Sequence, residues 1–135
     1  MSAHSEAKKP LRQNGAAIEK LRRTQNFMDM TEANYRAIRG VGAVIERELP
    51  EALEQLYAQI RKVPEIHNLF SSEEEMERAK RAQRNHWKSI SAADLGAEYA
   101  ARVHAIGTVH ARIGLEPTWY IGGYAIIVDH LVHAI

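Results

Sequence analysis

Cysteine is absent from the chain, which excludes disulfides, thiolate metal sites, iron–sulfur clusters and covalently attached c-type haem. Charge of one sign is missing too. The 18 Lys and Arg face 17 Asp and Glu, a formal net charge of +1 over 135 residues. That balance gives neither nucleic acid nor an anionic membrane an electrostatic footing. No apolar run approaches the ~18–20 residues that cross a bilayer, and the start MSAHSEAKKP lacks the apolar centre of a secretory signal. A cytoplasmic location is the expectation left. Strand signals are also lacking: no segment alternates with period two, and Gly and Pro do not fall at hairpin spacing. Hydrophobic content of 45% and charged content of 26% suit one ordinary globular domain.

What is present is helical periodicity. The polar stretch to about Ala16, with Pro10, Asn14 and Gly15, reads as a loose lead-in, followed by a short helix over Ala17–Met28. Thr31 is a candidate N-cap for a helix carrying Tyr35, Ile38, Val41, Ile45 and Leu49 on one face. Pro50 suits the first turn of a new helix, with Leu53, Leu56, Tyr57, Ile60 and Val63 ahead of Pro64. Ser72 and Glu75 form a capping-box pattern opening a helix through Met76, Ala79, Gln83, Trp87 and Ile90. A break near Ser91–Asp94 precedes Leu95, Tyr99, Val103, Ile106, His110 and Ile113, and Gly114 is placed to close that helix. Pro117 and Thr118 start the last, whose face includes Tyr120, Tyr124, Ile127, Val128 and Leu131. Gly122 and Gly123 fall inside that pattern and are expected to permit close helix approach. The expectation is an all-α chain of six or seven helices: residues 1–30 a lead-in with a short pre-helix, 31–135 the domain. The pattern stops in mid-helix at LVHAI.

Seven histidines invite a search for metal or acid–base sites. His110 lies on an apolar stripe, where an imidazole either finds a hydrogen-bond partner or ligates something; the first is the commoner outcome. His130 and His133, with Asp129 nearby, have a spacing that two ligands of one metal can share, but no further ligand is evident. His86 adjoins Trp87, His104 projects away from His110, and His4 and His67 suit solvent. Tyr57 lies on an apolar helix face, where a tyrosine is usually core with its hydroxyl reaching a carbonyl or water. No phosphate-binding loop, nucleophile elbow or zinc-protease motif occurs.

Ile106–Tyr124 reads IGTVHARIGLEPTWYIGGY. It strongly resembles the signature of the globin-coupled sensors, the sensor-globin family that includes protoglobins. LPEALEQLYAQIRKVPEIHNLF is similar to that family's second globin helix and corner, and MERAKRAQRNHW to its distal helix with a His–Trp pair at His86–Trp87. The resemblance spans about Thr31 to Leu131. It implies a globin fold with one more long helix than the pattern shows, haem b held non-covalently, and His110 as the proximal iron ligand. It further implies Tyr57 as the distal donor to bound oxygen, Tyr120 as a hydrogen-bond partner of His110, and Trp119 near the porphyrin edge. Ala79 and Ala82 occupy distal-helix places where many relatives have leucine or threonine, so a roomier pocket is expected. The family implies a sensor of O2, with CO or NO also possible, rather than an enzyme. It implies a homodimer through the C-terminal helices and an output module outside these residues. The lead-in most resembles the chemotaxis-transducer branch; diguanylate cyclases and histidine kinases are the alternatives. A stand-alone haem enzyme acting on nitric oxide or peroxide, and a haem-free helical module, are the competing classes.

Overall fold

The structure is a computed structural model that describes residues 8–135. His4 and the rest of the first seven residues lie outside them. Seven helices follow one another: α1 Lys8–Phe27, α2 Glu32–Gly40, α3 Gly42–Arg61, α4 Pro64–His67, α5 Glu73–Ser91, α6 Ala97–Ile113 and α7 Pro117–His133. The described residues contain no strand, and the fold is all-α.

Helix ends follow local chemistry. The Asn34 side chain reaches back to accept from the Thr31 N–H at 2.7 Å, tying down the start of α2. Ser72 Oγ accepts from the Glu75 N–H at 3.1 Å, while the Glu75 carboxylate accepts from the N–H of Ser71 at 2.9 Å. Three helices end in one motif. At Asp29, Ala93 and Gly114 the backbone turns left-handed, with φ of 52, 53 and 75°. The next N–H then bonds back over five residues: Met30 to Gln25, Asp94 to Ser89 and Leu115 to His110. Only the third site carries the glycine that makes the motif visible in sequence.

Two expected boundaries moved. α1 begins at Lys8 rather than near Ala17, because a proline in a first turn gives up no intrahelical bond. Gly15 sits inside it at a cost of about 1 kcal/mol relative to Ala. The break expected at Pro50 lies instead at Val41, and α3 runs straight through Pro50. An interior proline costs a helix about 3 kcal/mol, so packing must offset it. It does: Leu49, Ala52 and Leu53 on either side of Pro50 are all buried. Just beyond the break at Val41, a Cβ on Gly42 would stand 2.5 Å from the carbonyl oxygen of Ser91. The start of α3 thus meets the end of α5 backbone to side-chain-free backbone. Close approach was expected at Gly122–Gly123; there a Cβ would meet nothing at Gly122 and only Leu56 Cδ1, at an ordinary 3.4 Å, at Gly123.

α3 is the central element, packed on both α5 and α7. The core of Ile45, Leu49, Ala52, Leu53, Leu56, Tyr57, Met76, Trp87, Ile127 and Leu131 comes from these three helices. α6 stands apart. It rests mainly on α1, touches α5 lightly, and contributes Ala100 as its one buried residue among those described.

Candidate haem site

The histidine singled out by its position lies on the open side of α6. Val103, Ile106, His110 and Ile113 succeed one another at steps of three, four and three, which places them on one helical stripe. Val103 and Ile113 are 42% and 38% exposed, and Ile106 and His110 half-buried. Partial burial holds the His110 imidazole below its ordinary pKa, so the ring is neutral near pH 7. Its nitrogens have no hydrogen-bond partner among the described residues. The backbone beneath it is fixed, since the carbonyl of His110 accepts from the Leu115 N–H at 2.9 Å in the turn closed by Gly114.

Three residues later α7 begins, with Pro117 in its first turn. Its first turn presents Tyr120, whose ring stacks on His110 at 5.2 Å between centroids and 18° between planes. The hydrogen bond expected between them gives way to this stack, because near-parallel rings leave the hydroxyl in its own plane. Trp119 beside it is half-buried.

Tyr57 is set differently. It is buried in α3 and faces α5. Its hydroxyl donates to Gln83 Oε1 at 3.3 Å, its ring tilts against Phe70 at 6.3 Å, and the Lys80 ammonium stands 5.4 Å from its centroid. Burial, with the Glu77 carboxylate adding to it, pushes the phenol up to about 12, so it remains an O–H donor at neutral pH. Lys80 is itself buried, and bonds to Glu54 Oε1 at 2.6 Å and Glu77 Oε1 at 3.1 Å hold it charged. Ala79 packs against the core, whereas Ala82 is exposed.

A profile of the protoglobin family matches residues 18–135. The chain belongs to the protoglobin family. No match was found among curated proteins or among solved structures. A protoglobin domain is a haem-binding globin for diatomic gases. The residues of this one fit that group: a neutral, unpaired imidazole sits midway along an apolar stripe that the described residues leave uncovered. Surface hollows lie elsewhere, one along α1 beside Glu19 and Arg23 and one beside Glu73 and Arg78 of α5. They are open furrows lined by charged residues and do not suit a porphyrin.

The His–Trp pair of this protoglobin domain divides its work between two helices. His86 stacks on Tyr99 of α6 at 5.2 Å and 10°, and Trp87 tilts against Tyr124 of α7 at 5.9 Å. Burial, and after it the Arg102 charge, lowers the His86 pKa, and its Nδ1 has no partner. His130 and His133, whose spacing alone would allow a shared metal, face apart: His130 turns to α3, while His133 is exposed and contacts the Asp129 carbonyl oxygen at 2.7 Å. Sequence reasoning noticed Gln83 only as a periodic residue and missed Lys80. The available signal was that Lys80 falls between Met76 and Gln83 on the stripe facing α3, where a lysine needs carboxylate partners.

Proposed function

We propose that this chain is the cytoplasmic, O2-reading sensor domain of a signalling protein, holding haem b without a covalent bond. The observation that carries the reading is His110, neutral and without a partner, on the open apolar stripe of α6 inside the string IGTVHARIGL. Bound haem supplies an iron coordination position for a diatomic gas. His110 holds the iron, and its low basicity keeps the imidazole in the ligating, neutral form. Trp119 packs near the porphyrin edge. The Gly114 turn and the Tyr120 stack tie the imidazole to α7, so a displacement of His110 is passed to that helix.

Tyr57 supplies the distal O–H. Its 3.3 Å bond to Gln83 is long, hence readily exchanged for a better acceptor. A polar diatomic such as O2 gains from that donor, and CO gains less. The small side chain of Ala79 would leave room for water to compete with Tyr57 for the gas, whereas Ala82 faces solvent and takes no part. The domain is not itself an enzyme. The exposed Ile121, Val128 and Val132 of α7 suit a homodimer through the C-terminal helices. A chemotaxis transducer is the favoured output, ahead of a diguanylate cyclase or histidine kinase.

The test is the absorbance of protein reconstituted with haem. The parent is expected to show a Soret band that His110→Ala loses; an unchanged band in the variant overturns the assignment. Tyr57→Phe is expected to release O2 about tenfold faster, as loss of one hydrogen bond of ~1.4 kcal/mol implies, and CO at nearly the parent rate. Steady turnover of nitric oxide or peroxide would instead place the protein among haem enzymes.

A further inference from the structure

The one hydrogen of the Tyr57 hydroxyl is already in use. It goes to Gln83 Oε1 at 3.3 Å, across the contact between α3 and α5. The ring has little freedom to turn elsewhere. Tyr57 is 3% exposed, Phe70 packs against its ring, and the Lys80 ammonium stands 5.4 Å from its centroid. Lys80 is held in turn by Glu54 and Glu77, at 2.6 and 3.1 Å. The hydroxyl oxygen therefore stays beside Gln83 whatever its hydrogen does. A hydroxyl carries one donor. When Tyr57 turns its O–H toward O2, its oxygen presents lone pairs to the Gln83 carbonyl oxygen. Two acceptors then face each other in a partly buried place, which is costly.

Gln83 can remove that conflict by itself. Its amide carries an acceptor on one edge and two donors on the other. The torsion joining that amide to its stem is broad and roughly two-fold. Gln83 is half-buried, and among the described residues its amide makes no hydrogen bond besides the one to Tyr57. We infer that the Gln83 amide is a two-position switch that sets which gas the distal side favours. In the empty domain its oxygen holds the Tyr57 hydrogen; when that hydrogen goes to a polar gas, its NH2 turns to donate to the Tyr57 oxygen. In the second position the hydrogen bonds run one way, from amide to phenol to gas, and each strengthens the next. CO accepts poorly and leaves the amide in its first position. Gln83 is thus a positioning residue that acts on the gas only through Tyr57, and the inference rests on Tyr57 being the distal donor.

The experiment measures O2 and CO release from reconstituted parent, Tyr57→Phe, Gln83→Glu and Gln83→Leu, each checked for helix content. The carboxylate of Gln83→Glu keeps the amide's shape but can only accept, so it retains the hydrogen. O2 is expected to leave it about tenfold faster than the parent, as from Tyr57→Phe. Gln83→Leu neither retains the hydrogen nor supports the phenol oxygen, and is expected to stay within about threefold of the parent. CO release should be nearly the same throughout. In the haem-free chain, the Cζ carbon resonance of Tyr57, identified by its loss in Tyr57→Phe, should shift in Gln83→Leu. Parent-like O2 release from Gln83→Glu, equal acceleration by both Gln83 variants, an equal change in CO release, or an unmoved Tyr57 resonance overturns the switch while leaving Tyr57 as the donor. Parent-like O2 release from Tyr57→Phe overturns the donor and the switch together.

Discussion

The α3–α5–α7 core and the α6 helix both carry apolar stripes of helical period and end in opposite states. In the core, Leu53, Met76 and Ile127 are fully buried against side chains of neighbouring helices. On α6 the stripe Val103, Ile106, His110 and Ile113 has the same periodicity, yet it lies open and is backed chiefly by α1. The lesson is that one half of the molecule is held by its own packing, while the other leaves an apolar stripe without a covering helix among the described residues. Periodicity alone cannot tell these two cases apart. The histidine in the middle of the open stripe can, because an imidazole without a partner is a costly choice for a surface that is only waiting to pack.

Four measurements break or sharpen this contrast. Truncating the closed half should hurt most: Leu53→Ala is expected to cost about 2–5 kcal/mol in urea unfolding of haem-free protein, against under ~0.5 kcal/mol for Ile113→Ala. Equal losses would erase the distinction. Gly42→Ala drives a Cβ into the Ser91 carbonyl and is expected to cost about 1–3 kcal/mol by the same assay. An unchanged midpoint would mean that α3 and α5 part there without penalty. The two left-handed helix ends flanking α6 should respond in opposite directions, each by about 1 kcal/mol: Ala93→Gly raises stability and Gly114→Ala lowers it. The smallest effect is on pH dependence. Burial lowers the pKa of His86 and His110 below the ordinary 6.5, so on acidification the unfolded chain takes up these protons before the folded one. Stability is therefore full above about pH 6.5 and falls as the pH drops toward the folded values. Urea midpoints measured at about pH 8 and about pH 5.5 should show that fall, and His86→Gln should flatten it. A midpoint that rises on acidification would contradict the buried, neutral state of these rings.

The marks of the candidate site are local. His110, its stripe and the glycine that closes its helix lie within a dozen residues of one another, and α6 follows that pattern. The Thr31, Ser72 and Pro117 starts are equally local and are found where the sequence puts them. Less legible was anything that depends on which helix lies across from which. The acceptor for Tyr57 is Gln83, twenty-six residues away, and the buried cation over its ring is Lys80. The three-residue spacing of His130 and His133 gave no hint of the oxygen partners of His130, Glu48 and Gln55, which lie across an interhelical contact. The need for glycine at position 42 was hidden for the same reason, since only the nearness of Ser91 imposes it.

The amino-acid order by itself determined the helical class, most of the caps, and a histidine set in an apolar stripe. All of these are fixed by interactions that reach no further than one or two turns. Tertiary structure alone decided that α3 passes through Pro50, that Tyr57 rests on Gln83, that Tyr120 stacks on His110, and that the stripe of α6 stays open. Those outcomes depend on how helices cross, and a crossing is settled by the sum of many side-chain shapes rather than by the period of any one helix.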